Sequence, residues 1–115
     1  MRILDFRSGR KLADERLERV TVAPLTEPLA RGAPVQAAVF RLEPGARIAL
    51  HPATVPQIFA VVDGSVRADG QLLAAGQAAF WEQGEEHETT SDDGATAVVI
   101  EGEGLEPFSS AAATT

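Results

Sequence analysis

Short apolar or alternating runs recur along the chain, and each is closed by a turn signal. The runs are "VQAAVFRL" (35–42), "ARIAL" (46–50), "QIFAVV" (57–62), "SVRA" (65–68), "QLLA" (71–74), "QAAFW" (77–81) and "ATAVVIE" (95–101). Between them stand "EPG" (43–45), "DG" (63–64), "DG" (69–70), "AAG" (74–76), "QG" (83–84) and "DDG" (92–94). Strands this short, with turns this frequent, predict an all-β sandwich or barrel. "VRADGQLL" is the clearest hairpin, because Asp-Gly suits the two positive φ angles of a type I′ turn.

The first third of the chain is less regular. "RILDF" has the character of a strand, and "RVTVAPL" reads as extended. "GRKLADERLERV" is rich in Ala, Leu, Glu and Arg, which favour a short N-terminal helix. Its apolar stripe is thin, consisting of Leu12, Leu17 and Val20. The expected organisation is a single domain over 1–108, with an N-terminal arm at 1–22 and a barrel at about 23–108. The small polar residues of 109–115 are expected to form a flexible tail.

Composition narrows the function classes. A chain of 115 residues makes about one domain and can bury a core without covalent staples. It has no cysteine, which removes disulfides, zinc–thiolate sites and a thiol nucleophile. No run approaches a membrane span or a signal peptide, so the expected setting is soluble and cytoplasmic, without a membrane partner. Seventeen acidic side chains against ten basic ones give a net charge of −7, which argues against nucleic acid. Five Phe, one Trp and no Tyr are too few for a base-stacking platform.

The only two histidines stand in a pattern. The first reads Gly45-x5-His51-x-Ala53-x3-Gln57-x6-Gly64, and the second Gly76-x5-Glu82-x-Gly84-x2-His87-x3-Ser91. These spacings resemble the two motifs of the cupin superfamily, G-x5-H-x-H-x3,4-E-x6-G and G-x5-P-x-G-x2-H-x3-N. The likeness covers Gly45 to Ser91, and the flanking strands fit a small single-domain cupin. It implies a conical jelly-roll β-barrel of two antiparallel sheets, with a metal held inside by His, His, Glu and a final His. Two ligand positions depart from the family: Ala53 replaces the second histidine and Gln57 the glutamate. The metal site implied by the resemblance therefore shrinks to His51, Gln57 and His87, with Ala53, Phe59 and Trp81 as cavity-lining candidates.

Each candidate also has a plainer reading. Either histidine serves equally well as a hydrogen-bonded side chain without an ion, and Gln57 as a core amide bonded across the barrel. Phe59 fits ordinary core packing. Glu82, Glu85, Glu86 and Glu88 read as solvated surface charges.

Three functions follow. The first is a metal-dependent cupin acting on a small-molecule substrate, dioxygenase- or isomerase-like, with Fe, Mn, Ni, Cu or Zn as the divalent ion. No catalytic residue beyond the candidate ligands stands out. The second is a metal-free barrel, without a cofactor, that binds a small ligand as a non-catalytic binding or sensor module. The third is a structural homodimer. Small cupins commonly pair through their sheets, and segment 1–22 is the candidate for edge pairing.

Overall fold

The computed structural model describes residues 1–108, so the expected tail at 109–115 lies outside the described residues. Seven strands form: β1 (Leu17–Pro24), β2 (Gln36–Pro52), β3 (Gln57–Ala68), β4 (Gln71–Ala74), β5 (Ala78–Trp81), β6 (Glu86–Ser91) and β7 (Ala95–Glu101). One turn of 3-10 helix, Leu29–Arg31, is the only helical element among the described residues. Among the described residues no helix is long and apolar enough to cross a membrane.

The expected runs merge. "VQAAVFRL" and "ARIAL" become the single strand β2, and "QIFAVV" and "SVRA" become β3. Each long strand changes its pairing partners near its middle, within one continuous seven-stranded sheet. The first half of β2 pairs with β7, Gln36 to Leu42 against Glu101 to Ala95. Its second half pairs with β6, Ala46 to Pro52 against Ser91 to Glu86. In the same way β3 pairs with β7 and β5 over its first half and with β4 over its second. All pairings are antiparallel, and the result is a jelly roll closed over one core.

Gly64 sits at the bend of β3 with φ +74°. A Cβ there would lie 2.2 Å from the Gly94 carbonyl oxygen and 2.9 Å from the Ala95 Cα, so only glycine lets the two backbones cross. The hairpin at the end of β3 forms as the sequence predicts, with Asp69 at φ 51° and Gly70 at φ 82° between paired Ala68 and Gln71.

The N-terminal helix does not form, and neither does a strand over "RILDF". Asp14 instead makes a local turn, accepting the Arg16 backbone N–H at 3.0 Å, and β1 starts at Leu17. A helix would bury only a thin stripe, whereas the strand buries Val20 and Val22 at 2% and 4% exposure and satisfies its backbone against β2. Long-range pairing here outweighs the helix propensity of the local composition.

Alternation places the core. β7 turns Ala95, Ala97 and Val99 inward, and β3 turns in Phe59, Val61, Val66 and Ala68. Small and branched side chains fill the end of the barrel where the long strands bend. The opposite end, where β2, β3, β6 and β7 start or finish, collects Gln36, His51, Gln57, His87 and Glu101.

Gly64→Ala should therefore be much more damaging than Gly70→Ala, whose Cβ would meet nothing within 4 Å. Both changes impose the left-handed cost of roughly 1–2 kcal/mol. Gly64→Ala should add about 1–3 kcal/mol or more of overpacking, measured as the difference in urea unfolding free energy.

Candidate functional site

The two histidines meet because β2 and β6 pair in register. His51 and His87 are direct cross-strand partners, with ring centroids 4.3 Å apart. The β6 strand turns the polar side chains His87, Thr89 and Ser91 inward and the charges of Glu86 and Glu88 outward. Ser91, at the last position of the second motif, is structural: its hydroxyl donates to the Ser65 carbonyl at 2.7 Å and accepts from Gly94 N–H at 3.0 Å. Glu88 pairs with Arg47 at 2.8 Å, and the Glu85 carboxylate accepts the Glu82 backbone N–H. Among the described residues none of these carboxylates hydrogen-bonds to an imidazole.

His51 is oriented by its own strand. Its Nδ1 lies 2.7 Å from the Ala49 carbonyl, which accepts only, so Nδ1 carries the proton and Nε2 is left as an acceptor. His87 is 3% exposed, and neither of its ring nitrogens has a hydrogen-bond partner. It stacks on Trp81 with centroids 4.0 Å apart and planes at 21°. The indole is fixed in turn, its Nε1–H donating to the Asp69 carboxylate at 3.0 Å. Burial, with a smaller contribution from the neighbouring His51, lowers the His87 pKa from 6.5 to about 4, against the weaker opposing pull of Asp69 and Glu85. At neutral pH the ring is therefore uncharged, with one free donor and one free acceptor.

Gln57 starts β3 and lies between Trp81 on β5 and Glu101 on β7. Its Nε2 donates to Glu101 Oε1 at 2.6 Å. A carboxylate oxygen accepts, so this bond fixes which end of the amide is which and leaves the Gln57 carbonyl as an acceptor. Glu101 is the site residue that sequence reasoning missed. The available signal was weak, a lone acid closing the apolar run "ATAVVIE", and only the β3–β7 register puts it beside Gln57.

Two cavities of about 180 Å³ and 130 Å³ adjoin these groups. Arg16, His51, Gln57, His87 and Glu101 line both. The larger cavity continues between Leu17, Phe40, Ile48, Phe59 and Val99, while the smaller is floored by Ala53 and Val55. Ala53 also ties the barrel mouth, its N–H donating to Glu85 O and its carbonyl accepting from Gly84 N–H. Trp81 lines neither cavity. It borders a separate surface depression of about 250 Å³, together with Asp69 and Leu73, that contains no imidazole. Asp14 and Arg16 form a rim pair, in which the guanidinium beside Asp14 holds its carboxyl at about 2.

Neither a family model nor a curated protein sequence matches the chain. Solved structures do match. A cupin-like protein from Thermotoga maritima superposes with a TM-score of 0.73 at 20% identity, over 90% of this chain and 85% of its own. The chain has the cupin fold. A cupin 2 conserved barrel domain protein from Salinispora arenicola gives 0.65 at 19% identity, over 90% and 87% of the two chains. The polyketide cyclase RemF from Streptomyces resistomycificus gives 0.66 at 18% identity, over 87% and 76%. At such identities the likeness is one of fold.

The metal site implied by the motif resemblance would lie at the two histidines, and the donors present there suit a metal poorly. The Ala53 side chain has no ligand atom, and Gln57 offers only a neutral carbonyl oxygen, its nitrogen being bonded to Glu101. Among the described residues no group of three His, Cys, Asp or Glu side chains is placed to hold a metal ion. The carboxylate that a first-row divalent ion usually receives would have to come from Glu101, which lines the same cavities but accepts Gln57 Nε2 and does not group with the two imidazoles.

The buried His87 makes stability depend on pH. The unfolded chain carries this histidine near 6.5, so between pH 6.5 and about 4 unfolding takes up a proton. Stability should be constant above this window and fall within it by up to about 1.4 kcal/mol per pH unit. Urea unfolding of wild type and His87→Phe at several pH values should show that the slope belonging to this window is lost in the variant.

Proposed function

We propose that this cupin barrel binds a small molecule through hydrogen bonds to its imidazole pair, Gln57 and Glu101, with no resident metal needed for binding. The observation that carries this reading is His87, with two ring nitrogens out of water and unpartnered at the wall of a cavity. A buried polar group left unpaired costs about 1–3 kcal/mol, and a ligand that bonds to it recovers that energy. His51 faces the same space with Nε2 free to accept. The apolar walls formed by Phe40, Ile48, Phe59 and Val99 favour a ligand with an apolar body and one polar end.

The chemistry available is recognition and, for a reactive ligand, proton transfer. His87 is neutral over the physiological range and can act as acceptor or donor. His51 relays through Nδ1–H to a backbone carbonyl, which fixes its tautomer and leaves Nε2 as a base. The barrel wall keeps bulk water from His87, so a bond formed there is stronger than one made in solvent.

Native mass spectrometry of gently purified protein, paired with elemental analysis, tests the reading. The expected result is an organic adduct released on denaturation and absent from His87→Ala, with transition metal well below one per chain. Near-stoichiometric iron, manganese, nickel, copper or zinc that disappears in a His51→Ala, His87→Ala double variant would overturn it in favour of metal-assisted chemistry on a small molecule.

A further inference from the structure

The polar groups at the junction of the two cavities are unevenly matched, and the imbalance describes the ligand. Five residues line both cavities, and four of them present acceptors: His51 through Nε2, His87 through one ring nitrogen, Gln57 through its carbonyl, and Glu101 through its carboxylate. The fifth, Arg16, is paired with Asp14, its Nε and Nη2 donating at 3.0 and 2.8 Å, so its charge is balanced there. Gln36, which lines only the larger cavity, has its carbonyl taken by the Leu29 N–H at 2.9 Å and offers its amide nitrogen.

Charge points the same way. Apart from the imidazoles, the charged side chains lining the cavities are Asp14, Arg16 and Glu101. Asp14 and Arg16 cancel each other. Glu101 has only the neutral amide of Gln57 against it, which leaves one negative charge unbalanced at a half-buried position. A carboxylate kept from full solvation gains most from a cationic partner.

We propose that the ligand of this site is a primary amine, its ammonium group held by Glu101, Gln57 and the two imidazoles and its apolar body in the larger cavity. This rests on the reading of the barrel as a small-molecule site and names the chemical class that the site takes. The larger cavity, about 180 Å³, limits the body to roughly one aromatic ring; a protein cavity of about 150 Å³ is known to hold benzene. An ammonium supplies three donors, one for Glu101 and two for the neighbouring acceptors that line the same space, and balances the charge of Glu101. A carboxylate ligand would face Glu101 across the same space, and the Arg16 charge that could offset the repulsion is already balanced by Asp14.

Isothermal titration calorimetry of the full chain at pH 7 tests this with three probes of one shape: benzylamine, benzyl alcohol and benzoate. Wild type should bind benzylamine at least tenfold more tightly than benzyl alcohol, with benzoate weakest. Glu101→Gln keeps an acceptor for Gln57, so it should remain folded by circular dichroism and lose the amine preference, its benzylamine affinity falling at least tenfold, to the level of the alcohol. Equal or tighter binding of the alcohol or benzoate by wild type would overturn the amine assignment while leaving a small-molecule barrel. Failure of all three to bind folded protein would also overturn it, and the broader reading would then stand or fall on the co-purified adduct.

Discussion

A histidine with both ring nitrogens cut off from water is a costly thing to build, and the open end of this barrel is arranged around one. His87 cannot be solvated where it stands, so it is held neutral, and nothing in the wall answers either nitrogen. The surrounding wall holds the ring in place. Trp81 supports its face, Asp69 anchors Trp81, and the same carboxylate accepts the Glu88 N–H at 2.9 Å, which ties the anchor back to β6 one residue beyond His87. Rings continue from His87 through Trp81 and Phe59 to Phe40, so the imidazole is the polar end of an otherwise apolar run. A core of this kind is under-satisfied on its own, which is what the proposed ligand would answer.

The fold makes such a position possible by bending its two longest strands. Because β2 and β3 each change partners along their length, their ends return to a common mouth, and side chains far apart in the chain meet there. Gln57 and Glu101 are 44 residues apart and share a 2.6 Å hydrogen bond. His51 and His87 face each other across a ladder that is interrupted between Ile48 and His51, so the site lies just beyond an irregularity in otherwise regular pairing. The bend end carries the packing constraint, in the backbone contact of Gly64 with Gly94 and Ala95, and the mouth carries the chemistry. This separation lets a site rearrange its polar groups without disturbing the residues that close the barrel.

What was legible in the sequence follows from that division. Glycines at the bends, an Asp-Gly hairpin and short apolar runs are local signals, and they located the strands, the type I′ turn and the placement of both histidines. The spacing from Gly45 to Ser91 carried the fold because it records where a strand must bend and where its ends return. Two features were not legible because they are not local. The segment "GRKLADERLERV" has helix-favouring composition, yet the β2 edge offers Val20 and Val22 burial that a helix there could not provide. Glu101 closes an apolar run like many surface acids, and only the register of β7 against β3 makes it the partner of Gln57. The donor set was half legible. The exchange of ligands for Ala53 and Gln57 is plain in the chain, while the engagement of Gln57 by a carboxylate, which shifts the site toward hydrogen bonding, needed the fold.

Having only two histidines makes the central claim directly measurable. Long-range proton–nitrogen correlation NMR on uniformly nitrogen-15-labelled protein resolves both rings, and His87→Phe assigns them. Followed from pH 8 to pH 4, the spectra should show His51 as the Nδ1–H tautomer while it is neutral, and His87 neutral until the pH nears 4. A His87 that titrates at the ordinary value near 6.5 would mean that the ring is solvated or already partnered, and would contradict the account of the site.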